Sequence, residues 1–352
     1  MGSETIKLPN IDFSNEDLKP GSLVWNQVKN QVHKALVNYG CFEASFDKIP
    51  IHLRKSIFES LKELFDLPLQ TKIRNISTKP FHGYVGQYPA VPLYESMGID
   101  DANISDKAER FTRILWPEGN PNFCKTIQSY SEQLSELDQT VRKMILESLG
   151  VEKYMDEHMN STNYLLRVMK YKGPQSNDTK LGLNAHTDKN IVTILYQNQV
   201  NGLEVLTKDG QWINVEPTPD AFIVMIGDSL YCLCFSEPRV YLKQSLSPRS
   251  RGKVCLHTTF LGPHYVRLYW AWANGRVHSP YHRVMMTGNE ARYSVGLFSI
   301  PKAGYKIKAP EELADKEHPL LFKPFDHVEF LAFYYTEEGQ RCGSALKTYC
   351  GV

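Results

Sequence analysis

The hydrophobic pattern of this chain changes near residue 162, and this change restricts the fold more than any other feature. From that point apolar residues alternate with polar ones in short runs separated by turn signals: LLRVMKY, IVTILYQ, GLEVLTK, QWINVEP, AFIVMIG and YSVGLFSI. A period of two with many β-branched residues is typical of strands. Asp209-Gly210 lies between two of these runs and predicts a hairpin turn. We therefore expect a β structure after residue 162.

The first part of the chain has helical spacing instead. Apolar residues recur every three or four positions in 23–39, 51–66 and 122–149, and each of these segments predicts an amphipathic helix. Gly40 and Gly150 follow the first and third segments, where a C-cap glycine is expected. Helices followed by strands indicate an α+β protein, with an amino-terminal helical part and a jelly-roll core.

Length and composition add to this expectation. A chain of 352 residues, 42% of them hydrophobic, can bury a large core. We expect an amino-terminal helical domain over 1–160, a jelly-roll domain over 161–305 and a carboxy-terminal helical extension over 306–352. A net charge of +1, without a basic stripe, argues against nucleic acid and anionic membranes as partners. A small molecule is the expected partner.

Cysteine content and the apolar runs bear on the compartment. Seven cysteines, an odd number, indicate free thiols rather than a disulfide framework. No apolar stretch reaches the ~20 residues of a membrane helix, and MGSETIKLPNIDF carries no export signal. We expect a cytoplasmic protein that acts as a monomer.

One stretch, LNAHTDKNIVTIL at 183–195, places His186 and Asp188 two residues apart. Alone, such a pair is more often a hydrogen-bonded strand end than part of a metal site, so a third ligand is needed. Downstream, NGRVHSPYHRVMMTGNEARYSVGLFSIP offers His278 and His282. In extended chain these two histidines need not converge on one ion. Both are candidates for the third ligand at this point, and for His278 a structural role or a contact to a metal ligand is the commoner outcome.

Arg292-x-Ser294 follows His282 by ten residues, and GLEV and IGDSL stand between the two histidine motifs. Together with His186-x-Asp188, this combination resembles the plant family of Fe(II)- and 2-oxoglutarate-dependent dioxygenases. The resemblance runs nearly end to end, with LPNIDFS similar to the family's amino-terminal strand. It is greatest to the clade of glucosinolate side-chain-modifying (AOP-type) and auxin-oxidising enzymes. The fold that it implies is a double-stranded β-helix, or jelly roll.

The resemblance also implies the roles of these residues. His186, Asp188 and His282 would bind Fe(II) through two imidazoles and one carboxylate on one face, which leaves positions for 2-oxoglutarate and dioxygen. Arg292 and Ser294, two apart on one strand face, would clamp the far carboxylate of 2-oxoglutarate. The implied reaction oxidises a small organic molecule of plant specialised or hormone metabolism and releases succinate and CO2, with ascorbate as reductant.

Details of the motifs refine this expectation. Tyr171 is expected to be a further contact of 2-oxoglutarate. Met169 stands where many relatives carry an asparagine two residues before this tyrosine, so a polar contact to the co-substrate is missing. Asp188 argues against halogenation, because halogenating relatives have a small residue there. Hydroxylation, desaturation and dealkylation remain as outcomes.

Aromatic residues are candidates for a substrate pocket above the iron, although aromatics at helix and strand positions are more often core. The candidates are Phe81, Tyr84, Phe111, Tyr196 and Phe298. Cys232-x-Cys234 has one intervening residue, whereas zinc and thioredoxin-like motifs have two, so we expect no metal or redox site there.

The segment 232–270 does not fit the family pattern. Asp188 and His282 are 94 residues apart, and omission of these 39 residues leaves 55, the spacing that the resemblance implies. The segment holds six Lys or Arg against one Glu, and three of the seven cysteines. A long irregular insertion in a compact domain is rare. Our hypothesis is translated intron sequence, from a retained intron or a mis-predicted gene model.

Two other functions stay open at this stage. The insertion at 232–270 favours a catalytically inactive binding protein that keeps the shell without turnover. A second alternative is a different metal oxygenase on the same barrel that needs no keto acid. Arg292-x-Ser294 argues against the latter, because only a keto-acid-dependent enzyme needs this clamp.

Overall fold

Three helices of the computed structural model begin and end close to the positions that the sequence predicts. The structure describes residues 7–230, 276–314, 316, 319, 322–341 and 345–350. Within them the helices are α1 Leu23–Asn38, α2 Ile51–Asp66, α3 Leu69–Lys72, α4 Ser105–Leu115, α5 Pro121–Ser148, α6 Met155–Asn160, α7 His327–Tyr334, α8 Glu337–Arg341 and α9 Ala345–Cys350. Helices α1, α2 and α5 are the three predicted amphipathic helices.

Local sequence explains where α1 and α5 begin and end. Ser22 caps α1, because its hydroxyl accepts the backbone N–H of Trp25 at 3.0 Å. Gly40 follows α1 with a φ of +72°, a conformation that glycine adopts without a steric cost. Asn120 caps α5 in the same manner as Ser22, with proline at the first helical position.

The strands form an eight-stranded sheet, a four-stranded sheet and a pair formed by the last two strands. They are β1 Asn10–Asp12, β2 Cys41–Ser45, β3 Tyr84–Val85, β4 Tyr94–Asp100, β5 Thr162–Tyr171, β6 Ser176–His186, β7 Val192–Gln197, β8 Leu203–Leu206, β9 Trp212–Asn214, β10 Ala221–Ile226, β11 His282–Gly288, β12 Arg292–Pro301, β13 Lys306–Ile307 and β14 Phe325–Asp326. An eight-stranded sheet has the order β1-β2-β10-β7-β12-β5-β4-β3, and a four-stranded sheet has the order β6-β11-β8-β9.

All six predicted runs are strands, β8 and β9 form the predicted hairpin, and the α+β jelly-roll class is confirmed. The other strands lie outside these six runs, and β4 and β6 are among them. β6 has the sequence SNDTKLGLNAH, which is mostly polar, so its hydrophobic period is too weak to identify a strand. Its pairing with β11 defines it instead.

Two cores result from the alternation of side chains. We call the outer core the apolar cluster between the eight-stranded sheet and helices α1, α2 and α5. The inner core lies between the two sheets. On β12, Tyr293 and Val295 belong to the outer core, while Arg292 packs over the ring of Tyr171 in the inner core. The predicted clamp residues therefore lie between the sheets.

The segment 232–270 falls outside the described residues, so the prediction of an irregular insertion rests on the sequence. The chain on its two sides is packed together. Leu230 and Val277 are both buried in the outer core, and the hydroxyl of Ser279 donates to Oδ1 of Asp228 at 2.8 Å. Within the described part of the chain, no helix is both long and apolar enough to cross a membrane.

Candidate metal centre and co-substrate site

The pairing of β6 with β11 brings two histidines together. His186 and His282 are direct partners in the register of the two strands, and their ring centroids are 4.3 Å apart. Asp188, in the loop after β6, places Oδ1 3.7 Å from Nε2 of His186 and 3.8 Å from Nε2 of His282. One possible ligand atom from each residue lies within 4.8 Å of the others. Among the described residues, this is the cluster suited to a metal ion.

Backbone carbonyls fix how the two imidazoles face this point. Nδ1 of His186 lies 2.8 Å from the carbonyl oxygen of Asn184, and Nδ1 of His282 lies 3.3 Å from that of Pro280. A carbonyl oxygen only accepts, so each Nδ1 carries the hydrogen. The lone pair is then on Nε2, the atom that faces Asp188 in both residues.

The carboxylate is held in a similar way. The hydroxyl of Thr193 donates to Oδ2 of Asp188 at 2.6 Å, which leaves Oδ1 facing the two histidines. Burial acts to raise the pKa of Asp188, but His282 and His186 outweigh it and hold that pKa below its usual range. Burial, with a smaller effect of His282, lowers the pKa of His186 to about 3. At neutral pH Asp188 is therefore an anionic carboxylate and His186 a neutral imidazole.

This donor set fits Fe(II). Two imidazole nitrogens and one carboxylate oxygen on one side are the arrangement that non-haem Fe(II) oxygenases use. Metal binding requires neutral imidazole and ionised carboxylate, and His186 and Asp188 are in these forms at neutral pH. His278 lies outside it. Its backbone N–H donates to the carbonyl of Leu36 at 3.0 Å, and burial lowers the pKa of its imidazole to about 4.

A loop network holds Asp188 in place. The backbone N–H of Asp228 donates to the carbonyl of Asp188 at 2.7 Å. The carboxylate of Asp228 accepts hydrogen bonds from Thr187, Lys189 and Ser279, and burial raises its pKa. Sequence reasoning noted Asp228 only as part of IGDSL and did not identify this role. The network spans both sides of segment 232–270.

The predicted clamp residues are adjacent and buried. Nη1 of Arg292 donates to the hydroxyl of Ser294 at 3.3 Å, and the guanidinium lies 5.1 Å from the centre of the Tyr171 ring. No carboxylate among the described residues pairs with Arg292, and burial lowers the pKa of its guanidinium. A buried arginine without a counter-ion is costly and suits an anionic ligand.

Gln197 is the residue of this clamp that sequence reasoning missed. Its Oε1 accepts from Nε of Arg292 at 3.2 Å and from Nη2 at 2.6 Å. Gln197 is the register partner of Ser294 across β7 and β12, so strand pairing was the signal that identifies it. Met169 contacts Tyr171 through its sulfur, 3.8 Å from the phenol oxygen. The position that many relatives fill with an amide is therefore apolar here.

A cavity of about 500 Å³ opens beside His186 and Asp188. Phe81 and Phe298 line it, in agreement with the sequence prediction. The other three aromatic candidates do not line it, and for them the prediction is wrong. Phe111 packs on Phe123 in the helical layer, Tyr196 belongs to the outer core, and Tyr84 donates to Glu95. Helix and strand faces that point away from the inner core explain the difference.

The clamp residues Arg292 and Ser294 are not among the residues that line this cavity. Tyr94 connects the two regions, because it lines the cavity and its ring lies 5.1 Å from that of Tyr171. The metal cluster and Arg292 are thus both reached from the space between the two sheets. This fold and donor set are those of a jelly-roll oxygenase.

Comparison with known proteins agrees with that class. Residues 157–241 match the model of the 2OG-Fe(II) oxygenase superfamily, and residues 8–110 match the model of the non-haem dioxygenase in morphine synthesis N-terminal region. The first match includes His186 and Asp188 and ends before His282 and Arg292. The match therefore covers one side of the site.

Whole-chain relatives extend the comparison. The chain is 51% identical over 353 residues to "Probable 2-oxoglutarate-dependent dioxygenase AOP1.2" of Arabidopsis thaliana, covering 99% of this chain and 97% of the relative. It is 36% identical to 2-oxoglutarate-dependent dioxygenase AOP3 of the same plant, covering 100% and 99%. A dioxygenase for auxin oxidation from rice has a similar structure, with a TM-score of 0.73, 26% identity and coverage of 97% and 99%.

These findings show the family. The chain belongs to the 2OG-Fe(II) oxygenase family, with AOP-type dioxygenases as close relatives and an auxin-oxidising dioxygenase as a structural neighbour. The resemblance that the sequence motifs indicated is confirmed, and the chain is a 2-oxoglutarate-dependent dioxygenase. Fe(II) and 2-oxoglutarate are the metal and the co-substrate of this family.

Proposed function

We propose that His186, Asp188 and His282 hold the Fe(II) of this dioxygenase. The observation that carries the proposal is the commitment of every other polar atom of the three side chains. Both Nδ1 atoms donate to carbonyls and Oδ2 of Asp188 accepts from Thr193, so two Nε2 atoms and Oδ1 converge. Ligands fixed in this way bind a metal without a large cost of reorganisation.

We propose that Arg292 and Ser294 bind the far carboxylate of 2-oxoglutarate, and that Tyr171 is a further contact. Gln197 accepts from Nε and Nη2 of Arg292, which fixes the guanidinium plane and directs Nη1 toward Ser294. The arginine can then give charge-assisted hydrogen bonds to a carboxylate. Because Met169 supplies no polar contact, the affinity for 2-oxoglutarate depends on this clamp more than in relatives with an amide.

Bound together, Fe(II) and 2-oxoglutarate supply the oxidising chemistry, which consumes dioxygen and forms succinate and CO2 while the substrate is oxidised. The chain contributes the positions of the groups. Strand pairing sets His186 against His282, and the Asp228 network holds the loop that carries Asp188. The cavity beside them has mostly apolar walls that hold a small organic molecule and keep water from it.

The substrate class follows from the cavity and the relatives. We propose hydroxylation, desaturation or dealkylation of a small organic molecule in plant specialised or hormone metabolism. The relatives named for AOP and auxin oxidation support this assignment. We further propose a cytoplasmic monomer that uses ascorbate as reductant, and a division of the chain into 1–160, 161–305 and 306–352.

The segment 232–270 is a separate proposal. We infer that it is translated intron sequence that leaves the site intact, because Leu230 and Val277 on its two sides are buried in one core. Sequencing of transcripts across codons 231–271 tests its origin. A dominant message without these codons is expected, whereas a dominant message that contains them would contradict the intron hypothesis.

The activity test uses the full chain. Purified protein is supplied with Fe(II), ascorbate and 2-oxoglutarate, and succinate is measured. Conversion of 2-oxoglutarate to succinate in the absence of the substrate can be followed without knowing which substrate the enzyme oxidises. We expect succinate from the wild type and from His52→Ala, an exposed histidine on α2. We expect none from His282→Ala. Succinate release that His282→Ala leaves unchanged would overturn the ligand assignment.

A further inference from the structure

The basic groups that line the cavity beside His186 differ in their partners. His82 contacts Asp100 through Nδ1, and Lys189 donates to Asp228. His327, at the start of α7, has its Nδ1 3.2 Å from the hydroxyl of Ser229. Arg167 on β5 has no ion pair among the described residues. Among the described residues Arg167 is therefore a cavity cation without a close ion pair, although its charge also helps to lower the pKa of Asp188.

Other arginines of the chain show that this is unusual. The buried Arg142 pairs with Asp138 at 2.7 Å, and the buried Arg54 pairs with Asp220 at 2.8 Å. Within the inner core, Arg292 is the other arginine without a described carboxylate, and we have assigned it to an anionic co-substrate. Removal of a guanidinium from water without a counter-ion costs free energy, which an anionic ligand recovers, and the cost is smaller for the half-buried Arg167 than for the buried Arg292. Arg167 therefore also points to an anion.

The hydrogen bonds of Arg167 leave part of its edge available. Nη2 donates to the phenol oxygen of Tyr94 at 2.6 Å and to the hydroxyl of Ser96 at 3.2 Å. Nε is buried and has no hydrogen-bond partner among the described residues. The guanidinium lies 4.7 Å from the ring centre of Phe81 and 5.7 Å from that of Phe298. The guanidinium thus lies beside two aromatic rings, and new hydrogen bonds to a ligand form in the plane of the guanidinium.

The backbone conformation of Phe81, which packs beside Arg167, also indicates a ligand site. Its φ is +64°, in the left-handed region that a bulky residue rarely adopts. Gly98 on β4 permits the arrangement, because a Cβ there would lie 2.7 Å from the carbonyl oxygen of Phe81. Phe81 also packs on Tyr335, with ring centres 5.7 Å apart. Strained residues of this kind cluster at ligand sites.

We propose that Arg167 binds an acidic oxygen group of the substrate, a carboxylate or a sulfonate-like group. The aromatic or apolar body of that substrate lies against Phe81, Phe298 and Tyr334, beside His186 and Asp188. The proposal rests on the proposed function, since it names the substrate class of the same site. Arg167 holds the acidic end, and the distance from that end selects which carbon of the body faces the metal.

The test is a titration with matched probes. Protein with Fe(II) and saturating 2-oxoglutarate, kept free of oxygen, is titrated calorimetrically with 3-phenylpropionate, 2-phenylethanesulfonate and 3-phenylpropionamide. Saturating 2-oxoglutarate keeps the probes from Arg292. We expect at least one acid to bind about tenfold tighter than the neutral amide, the size expected for hydrogen bonds to a charged group. The preferred acid identifies the group as carboxylate or sulfonate.

Three variants locate the preference. Arg167→Gln should bind acid and amide equally, and Arg167→Lys should keep part of the preference because it keeps the charge. Arg283→Gln is the matched control, since Arg283 also lies over an aromatic ring, Trp212 at 4.0 Å, but pairs with Glu204 and does not line the cavity. It should keep the full preference. If Arg167→Gln does not fold, a reduced preference in Arg167→Lys carries the test.

Two results would overturn the proposal. One is equal binding of acids and amide, or no binding of any probe, in the wild type. The other is an acid preference that survives in Arg167→Gln. Succinate release by the same wild-type preparation, measured without a probe, reports on the proposed function separately. A preference for acids without any succinate release would contradict the proposed function but would still support an anion site at Arg167.

Discussion

On strands β7 and β12, residues that face the helices differ in kind from their neighbours that face the four-stranded sheet. Ile194 and Val295 pack in the outer core, whereas Thr193 contacts Asp188 and Gln197 contacts Arg292. The two sets alternate along the same strands. One sheet therefore provides stability on one face and chemistry on the other, and each face can be changed with limited effect on the other.

The largest expected effect belongs to the outer core. Leu134 on α5 is fully buried there, so Leu134→Ala should lower the free energy of unfolding by about 2–5 kcal/mol, through lost burial and the cavity left behind. Denaturant unfolding measures this loss. The protein that remains folded should bind Fe(II) as the wild type does. Weakened Fe(II) binding by the folded fraction would contradict the claim that the two faces of the sheet can be changed independently.

Arg292→Ala should raise the KM for 2-oxoglutarate by about 10–100-fold, because hydrogen bonds to a charged group are lost. Steady-state succinate release at varied 2-oxoglutarate gives the value. Arg113→Ala, an exposed arginine on α4, is the control and should leave the KM unchanged. An unchanged KM in Arg292→Ala would mean that the carboxylate of 2-oxoglutarate binds elsewhere.

A smaller effect on Fe(II) affinity is expected for Thr193, which contacts the metal ligand Asp188 and not the metal itself. Thr193→Val keeps the shape of the side chain and removes the hydrogen bond to Oδ2 of Asp188. The affinity for Fe(II) should fall about tenfold, as for other residues that orient metal ligands. Thr140→Val, on the exposed face of α5, should leave the affinity unchanged. Equal affinities in both variants would remove Thr193 from the account.

The last expected effect is a dependence of stability on pH. Burial lowers the pKa of His278 to about 4, so the unfolded chain binds a proton there more readily than the folded chain. This contribution to stability is complete above the ordinary histidine value of about 6.5 and is lost as the pH falls toward 4. Thermal unfolding of His278→Gln between pH 7 and 4 should therefore decline less steeply than that of the wild type. An equal slope would contradict this assignment.

Much of this architecture follows from local sequence, and the remainder depends on pairing between distant strands. Helices α1, α2 and α5 carry a clear period, as do strands β5, β7, β8, β9, β10 and β12. The motif spacing identified His186, Asp188 and His282 as candidates. Gln197, Thr193 and Asp228 carried no such signal. Their roles arise because β7 lies beside β12 and because the loop after β10 meets the loop after β6.

The pocket aromatics show the same limit. Phe81 and Tyr84 are three residues apart, yet one lines the cavity and the other contacts Glu95. The left-handed backbone of Phe81 decides this difference, and glycine is the residue that sequence rules expect there. The acceptance of this conformation depends on Gly98, on a neighbouring strand. Such a contact between distant segments has no local pattern.

The central claim is that residues from β6, its following loop and β11 form one metal site. It is tested most directly by calorimetric titration of the full chain with Fe(II) in the absence of oxygen, beside His282→Ala and the control His52→Ala. We predict one tightly bound Fe(II) per chain in the wild type and the control, and loss of that binding in His282→Ala. Equal binding by all three proteins would contradict the account, because β11 would then supply no ligand.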